Sequence, residues 1–141
     1  MEAQEIMIRL AGAAHFGILL ASALVPRVLD WRRQLRSLSA LSRHLVWVHG
    51  AFIVLVIVAF GTICVLNASD LTAGSPLART VCTIIAVFWG ARLVVQIFLF
   101  DARPYLDRRS LRLGYHGLTA VFTFITFVLA WAALAPASPV T

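Results

Sequence analysis

Four stretches of about twenty apolar residues, none containing an acidic side chain, leave this chain very few environments in which to fold. They cover residues 6–25, 45–66, 77–100 and 114–135. An α-helix rises 1.5 Å per residue, so each stretch is long enough to cross the hydrocarbon core of a bilayer. Pro26 and Pro136 mark the ends of the first and fourth. The 141 residues are 61% hydrophobic and 13% charged, too few charges to cover a water-facing surface. The sequence therefore predicts an all-α integral membrane protein: one transmembrane domain over residues 1–141, with four antiparallel spans in an up-down bundle. The acidic opening "MEAQE" lacks the basic start and cleavage site of a secretory signal, so the first span reads as retained.

Charge is distributed unevenly between the connections. Between the first two spans lie Arg27, Arg32, Arg33, Arg36 and Arg43 against Asp30 alone. Between the last two lie Arg103, Arg108, Arg109 and Arg112 against Asp101 and Asp107. The segment "NASDLTAGSP" contains no basic residue. Positive-inside bias places both Arg-rich connections in the cytoplasm and both termini outside, with a bacterial inner membrane as the expected location. All twelve basic residues are Arg, which fits codon bias in a high-GC genome; nothing else resembles a nucleic-acid binder. Asn67-Ala68-Ser69 fits a glycosylation sequon, a pattern short enough to occur by chance. Val28, Trp31, Leu35, Leu38, Leu41 and Leu45 recur at three- and four-residue steps, predicting an amphipathic interfacial helix or helical extensions of the first two spans. Anionic lipid headgroups are the expected partners of its arginines, and a membrane-protein partner or a second copy of the chain is the other class of partner considered.

The polar residues inside the spans carry the functional signal. By helical rise, His116 lies roughly 5 Å from the Arg-rich end of its span, His49 roughly 8 Å, Arg92 roughly 12 Å and His15 roughly 16 Å. Gln96 is one turn from Arg92. An intramembrane guanidinium needs a partner, and no span supplies a carboxylate. Snorkelling to headgroups over such a depth is a long reach for one side chain. His15, His49, Arg92, Gln96 and His116 are therefore the candidate ligand-binding residues. His116, Thr119, Thr123 and Thr126 share a helix face, which either faces the bundle or bonds its own backbone. His44 reads as interfacial. Cys64 and Cys82 form no metal-binding spacing and read as small apolar residues, with a disulfide as the minor alternative.

Two cofactor chemistries fit these residues. In an up-down bundle the second and fourth spans lie diagonally opposite, so His49 and His116 could be axial ligands of haem b, with Arg92 on a propionate. A quinone headgroup could instead use His49 or His116 with Arg92 and Gln96. A proton path through His15, His49 and the threonines is a further option.

The first span also resembles that of small four-helix inner-membrane proteins of the haem-associated protoporphyrinogen-oxidase type. His15 within the span and Pro26-Arg27 at its end carry the resemblance. The basic residue of the third span is Arg92, where that family is expected to have Lys. The resemblance covers the first span alone and implies no activity here.

Three functions are thus in play: a ligand-binding module or accessory subunit of a membrane complex, a haem- or quinone-binding redox protein or enzyme, and a purely structural membrane protein.

Overall fold

The computed structural model describes residues 2–28, 30–99 and 109–136. Helix α1 spans Glu2–Val28, α2 Trp31–Gln34, α3 Ala40–Leu66, α4 Ala68–Thr72, α5 Pro76–Val94 and α6 Arg109–Leu134. A 3-10 turn, Leu35–Ser37, follows α2, and a π-helical turn, Val95–Leu99, extends α5. The four long helices, α1, α3, α5 with its extension, and α6, are each long and apolar enough to cross a membrane. The chain is an all-α helical bundle, as the apolar stretches predict.

Local chemistry sets the helix ends, and it moves them beyond the apolar stretches. Glu2 and Glu5 sit in the first turn of α1 and Arg27 in its last, each complementing the helix dipole. Pro26 does not end this helix. It lies in the last turn, where its missing N–H removes one hydrogen bond and the helix continues to Val28. Ser39 caps α3 by accepting from the Ser42 N–H at 3.2 Å, well before the apolar run at Leu45. Ser75 caps α5 in the same way, accepting from Ala78 N–H at 3.1 Å, with Pro76 in the first turn. The periodic segment 28–45 is in part helical extension of the first two spans, α1 reaching Val28 and α3 beginning at Ala40, and a single amphipathic helix across it is interrupted twice. Asp30 adopts a left-handed conformation (φ 46°, ψ 51°), and Leu38 is extended (φ −83°, ψ 152°).

Helix α1 packs against α3 on one side and α6 on the other, and α5 packs against α6. Helices α3 and α5 meet through Phe60 and Phe88, whose ring centroids are 5.3 Å apart. The short helix α4 folds over α1 and α5 and buries Ala68, Leu71 and Thr72. Two glycines bring α1 and α3 together. A Cβ on Gly12 would lie 2.7 Å from Val65 Cγ2, and one on Gly61 would lie 3.0 Å from His15 Cβ. Close backbone approach of this kind supplies the van der Waals contact that drives helix association in lipid.

Among the described residues, burial is concentrated in one half of the bundle. The buried positions run from Ile8 to Ile18 on α1, Ile57 to Cys64 on α3, Ala78 to Trp89 on α5 and Phe122 to Ala132 on α6. No described position in 19–28, 40–56 or 109–121 is buried, and Gln96 is the one buried residue of the π-helical turn. The packed half adjoins α4; the open half adjoins Arg27, Arg32, Arg33, Arg36, Arg43, Arg109 and Arg112.

Gly61→Leu is expected to destabilise the bundle by about 1–3 kcal/mol, because it overpacks the α1–α3 crossing. Gly117→Ala enters open space and should leave the thermal midpoint in detergent micelles at or above that of the parent. Circular-dichroism melts of the two variants check this difference.

Candidate functional site

The centre of the packed half is a hydrogen-bonded aromatic belt. The His15 Nδ1 atom lies 2.7 Å from the Ala11 carbonyl, one turn back on α1. A carbonyl can only accept, so Nδ1 carries the proton. The Trp89 indole N–H donates to His15 Nε2 at 2.8 Å. An indole N–H can only donate, so Nε2 is the unprotonated nitrogen. Both nitrogens are satisfied in the neutral tautomer. His15 is fully buried and Trp89 nearly so. This bond joins α1 to α5 across the bundle, and rings from the other helices close around it. Phe60 of α3 lies 6.5 Å from His15. Phe88 lies 5.3 Å from Trp89, and Phe122 of α6 lies 4.9 Å from it.

Arg92 lies one turn beyond Phe88, toward the open half. Its guanidinium carbon stands 5.8 Å over the Phe122 ring, a cation–π contact, while the residue itself is exposed. The guanidinium thus sits where the aromatic floor ends and the open half begins. The ion pair seen among the described residues is Arg9–Glu5, near the opposite end of α1.

Gln96 forms a second polar centre between α5 and α6. Its Nε2 donates to Thr119 Oγ1 at 2.6 Å and, at 3.4 Å, to the Tyr115 carbonyl. Tyr115 O–H donates back to the Gln96 main-chain carbonyl at 2.8 Å, and Thr119 O–H donates to the Tyr115 carbonyl at 2.9 Å. The π-helical turn starting at Val95 widens the backbone here, and such turns disrupt the regular hydrogen-bond ladder. The Tyr115 hydroxyl satisfies a carbonyl in that turn. The amide orientation is fixed because Nε2 faces the Tyr115 carbonyl, which can only accept.

The five residues singled out from sequence are not gathered into one cluster. His15 and Gln96 are buried, in separate hydrogen-bonded centres. Arg92 stands between those centres along α5. His49 and His116 are exposed, on α3 and α6, which occupy a diagonal of the bundle. His49 Nδ1 donates to the Leu45 carbonyl of its own helix at 2.9 Å. His116 lies off the inward row of Tyr115, Leu118, Phe122 and Ile125, so the structure does not present this pair as facing axial ligands. Thr123 and Thr126 donate to the carbonyls four residues back, the self-satisfied arrangement, and Thr119 alone of the stripe joins another helix. Cys64 and Cys82 are buried free thiols.

Sequence reasoning missed Trp89, Tyr115 and Phe122. A usable signal existed for Trp89. Measured along the helix from Leu99, it lies roughly 15 Å from the Arg-rich end, nearly the depth of His15. A buried indole N–H in lipid needs an acceptor, and His15 is the side chain at that level.

In the open half the inward rows of α1 and α3 continue with no buried position among the described residues. Ser22 follows His15 and Ile18 on α1 and is exposed. Ile53, four residues before Ile57 on α3, is 53% exposed. Between α1 and α6 the same half holds a groove of about 370 Å³, lined by Gly17, Ala21, Gly114, Gly117, Leu118 and Val121 among others.

Fold and site together define a small helical membrane protein, packed and latched at one end and open at the Arg-rich end. Compared with known protein families, curated proteins and solved structures, the chain matches none.

The His15–Trp89 bond makes a specific thermodynamic prediction. His15→Leu strands the indole donor and Trp89→Phe strands the imidazole acceptor, each at a cost of about 1–3 kcal/mol beyond the packing change. The double variant strands neither and should be less destabilised than the sum of the two. A double-mutant cycle on unfolding free energy gives this coupling directly.

Proposed function

We propose that the chain is a membrane-embedded binding module, whether alone or as an accessory subunit, and that its open half takes a hydrophobic ligand with an anionic group anchored by Arg92. The observation that carries this reading is the position of Arg92 over Phe122 at the floor of the open half. Placing an arginine at the centre of a membrane helix costs about 2.5–3.5 kcal/mol on insertion scales. A cation–π contact returns about 0.5–1 kcal/mol at an exposed site and about 2 when desolvated. The ring therefore falls short of the cost, and an anionic group beside the guanidinium covers the difference. A carboxylate or phosphate matches the planar donor fork of arginine. Ile53 on α3, with Leu118 and Val121 on α6, supplies apolar walls for the rest of the molecule. Ser22 on α1 is a small exposed side chain in the same half.

In this reading His15 is a positioning residue. It fixes Trp89, which packs against Phe122 and so sets the surface beneath Arg92. Gln96 is the polar neighbour on the same helix, held by Thr119, and His49 and His116 lie nearer the opening. Positive-inside bias turns that opening toward the cytoplasm.

The test uses protein in which Trp31, Trp47 and Trp131 are replaced by Phe, leaving Trp89, in nanodiscs of neutral phosphatidylcholine. Dibromostearate and the corresponding dibromo alcohol differ only in their head groups. The carboxylate is expected to quench Trp89 more strongly than the alcohol. Arg92→Leu should abolish that excess, and Arg92→Lys should keep part of it. Equal quenching by the two probes in the parent protein, or an excess that survives Arg92→Leu, overturns the proposal.

A further inference from the structure

The segment between α1 and α3 is a compact elbow rather than a loose loop. The left-handed Asp30 turns the chain, and its carbonyl accepts from Arg33 N–H at 3.0 Å and Gln34 N–H at 3.1 Å. The 3-10 turn closes through Leu38 N–H to the Leu35 carbonyl at 3.2 Å, and Ser39 then starts α3. Trp31 holds the elbow against α3, edge to face with Trp47 at 6.4 Å. Trp31 and Leu35 are half-buried, while Arg32, Arg33 and Arg36 are exposed around the rest of the turn. The single acidic side chain between Arg27 and Arg43 is Asp30.

From this arrangement we infer that the elbow is a docking surface for anionic phospholipid headgroups, with Arg32, Arg33 and Arg36 binding their phosphates. Three features favour a lipid over a soluble anion or an acidic protein. Tryptophan pairs belong at the level where hydrocarbon meets headgroups, which sets the height of the elbow. Leu38 (41% exposed) and Leu41 (72% exposed) adjoin the arginines and require an apolar neighbour. Both conditions are met at once by a lipid, whose chains lie directly beneath its phosphate. The guanidinium fork binds phosphate oxygens in pairs. A zwitterionic headgroup brings its own cation to compete for that phosphate, so net-negative lipids are selected. The surface is separate from the Arg92 site and does not depend on the ligand proposed there.

The test is lipid selectivity of the full chain in vesicles mixing phosphatidylcholine and phosphatidylglycerol, read by electron spin resonance of spin-labelled lipids at the protein boundary. The parent protein is expected to enrich phosphatidylglycerol over phosphatidylcholine. The triple variant Arg32→Gln, Arg33→Gln, Arg36→Gln should lower that selectivity by about fivefold or more, since each basic residue near an anionic surface contributes about 1 kcal/mol. Circular dichroism confirms that the helices are intact. Arg9→Gln, at the opposite end of the bundle, removes a positive charge without touching the elbow and should leave selectivity unchanged. No enrichment by the parent, full selectivity in the triple variant, or an equal loss in Arg9→Gln overturns the inference.

Discussion

The hydrogen bond from the Trp89 indole to His15 is the constraint on which the centre of this bundle is built. In water either group could be exchanged for solvent at little cost. Inside a membrane neither has an alternative partner, so the two helices carrying them must stay in one register. The bond fixes the imidazole tautomer through Ala11, the indole through His15, and Phe122 through its packing on the indole. Four helices are thereby tied at one depth through one interhelical hydrogen bond and a set of ring contacts. Apolar burial cannot provide this, because lipid tails are as apolar as leucine and give helices little reason to prefer each other.

That limitation explains why packing is so uneven along the bundle. Where α1 and α3 carry Gly12 and Gly61 at their crossing, backbones approach closely and dispersion contacts are dense. Where α5 and α6 share the Gln96, Tyr115 and Thr119 bonds, they stay joined beyond the aromatic belt. Helices α1 and α3 have no comparable polar tie to α5 or α6 in the open half among the described residues. Among the described residues, the buried positions of α1 and α3 thus lie toward α4, and none lies in 19–28 or 40–56.

The fold was largely legible because span length and the absence of acidic residues leave a four-helix bundle as the natural arrangement. Helix ends were less so: hydropathy marks hydrocarbon thickness, whereas Ser39 and the Glu2–Glu5 turn start helices outside it. The regular spacing from Val28 to Leu45 could not reveal the left-handed Asp30 that breaks it. Site residues were found by depth and chemistry, and so His15 and Gln96 were identified as inward polar groups. The orientations of His49, Arg92 and His116 were not readable. In a soluble helix the polar face marks the outside, but these helices are apolar on all sides, so periodicity says nothing about which face meets lipid. A search for hydrogen-bonding partners at equal depth, as His15 and Trp89 illustrate, recovers some of that lost information.

The glycines of the open half bear on the proposed ligand. Glycine inside a helix costs about 1 kcal/mol relative to alanine. Gly12 and Gly61 offset that cost by admitting a neighbouring helix. Gly17, Gly50, Gly114 and Gly117 do not: among the described residues, nothing lies within 4 Å of where a Cβ would stand on any of them. Gly17, Gly114 and Gly117 line the groove between α1 and α6. At these positions the helix backbone is open to lipid or to a ligand. A flat or chain-like molecule of the class proposed above could lie against such exposed backbone. The proposal assigns the latched half the role of a rigid base and the open half the contacts with the ligand.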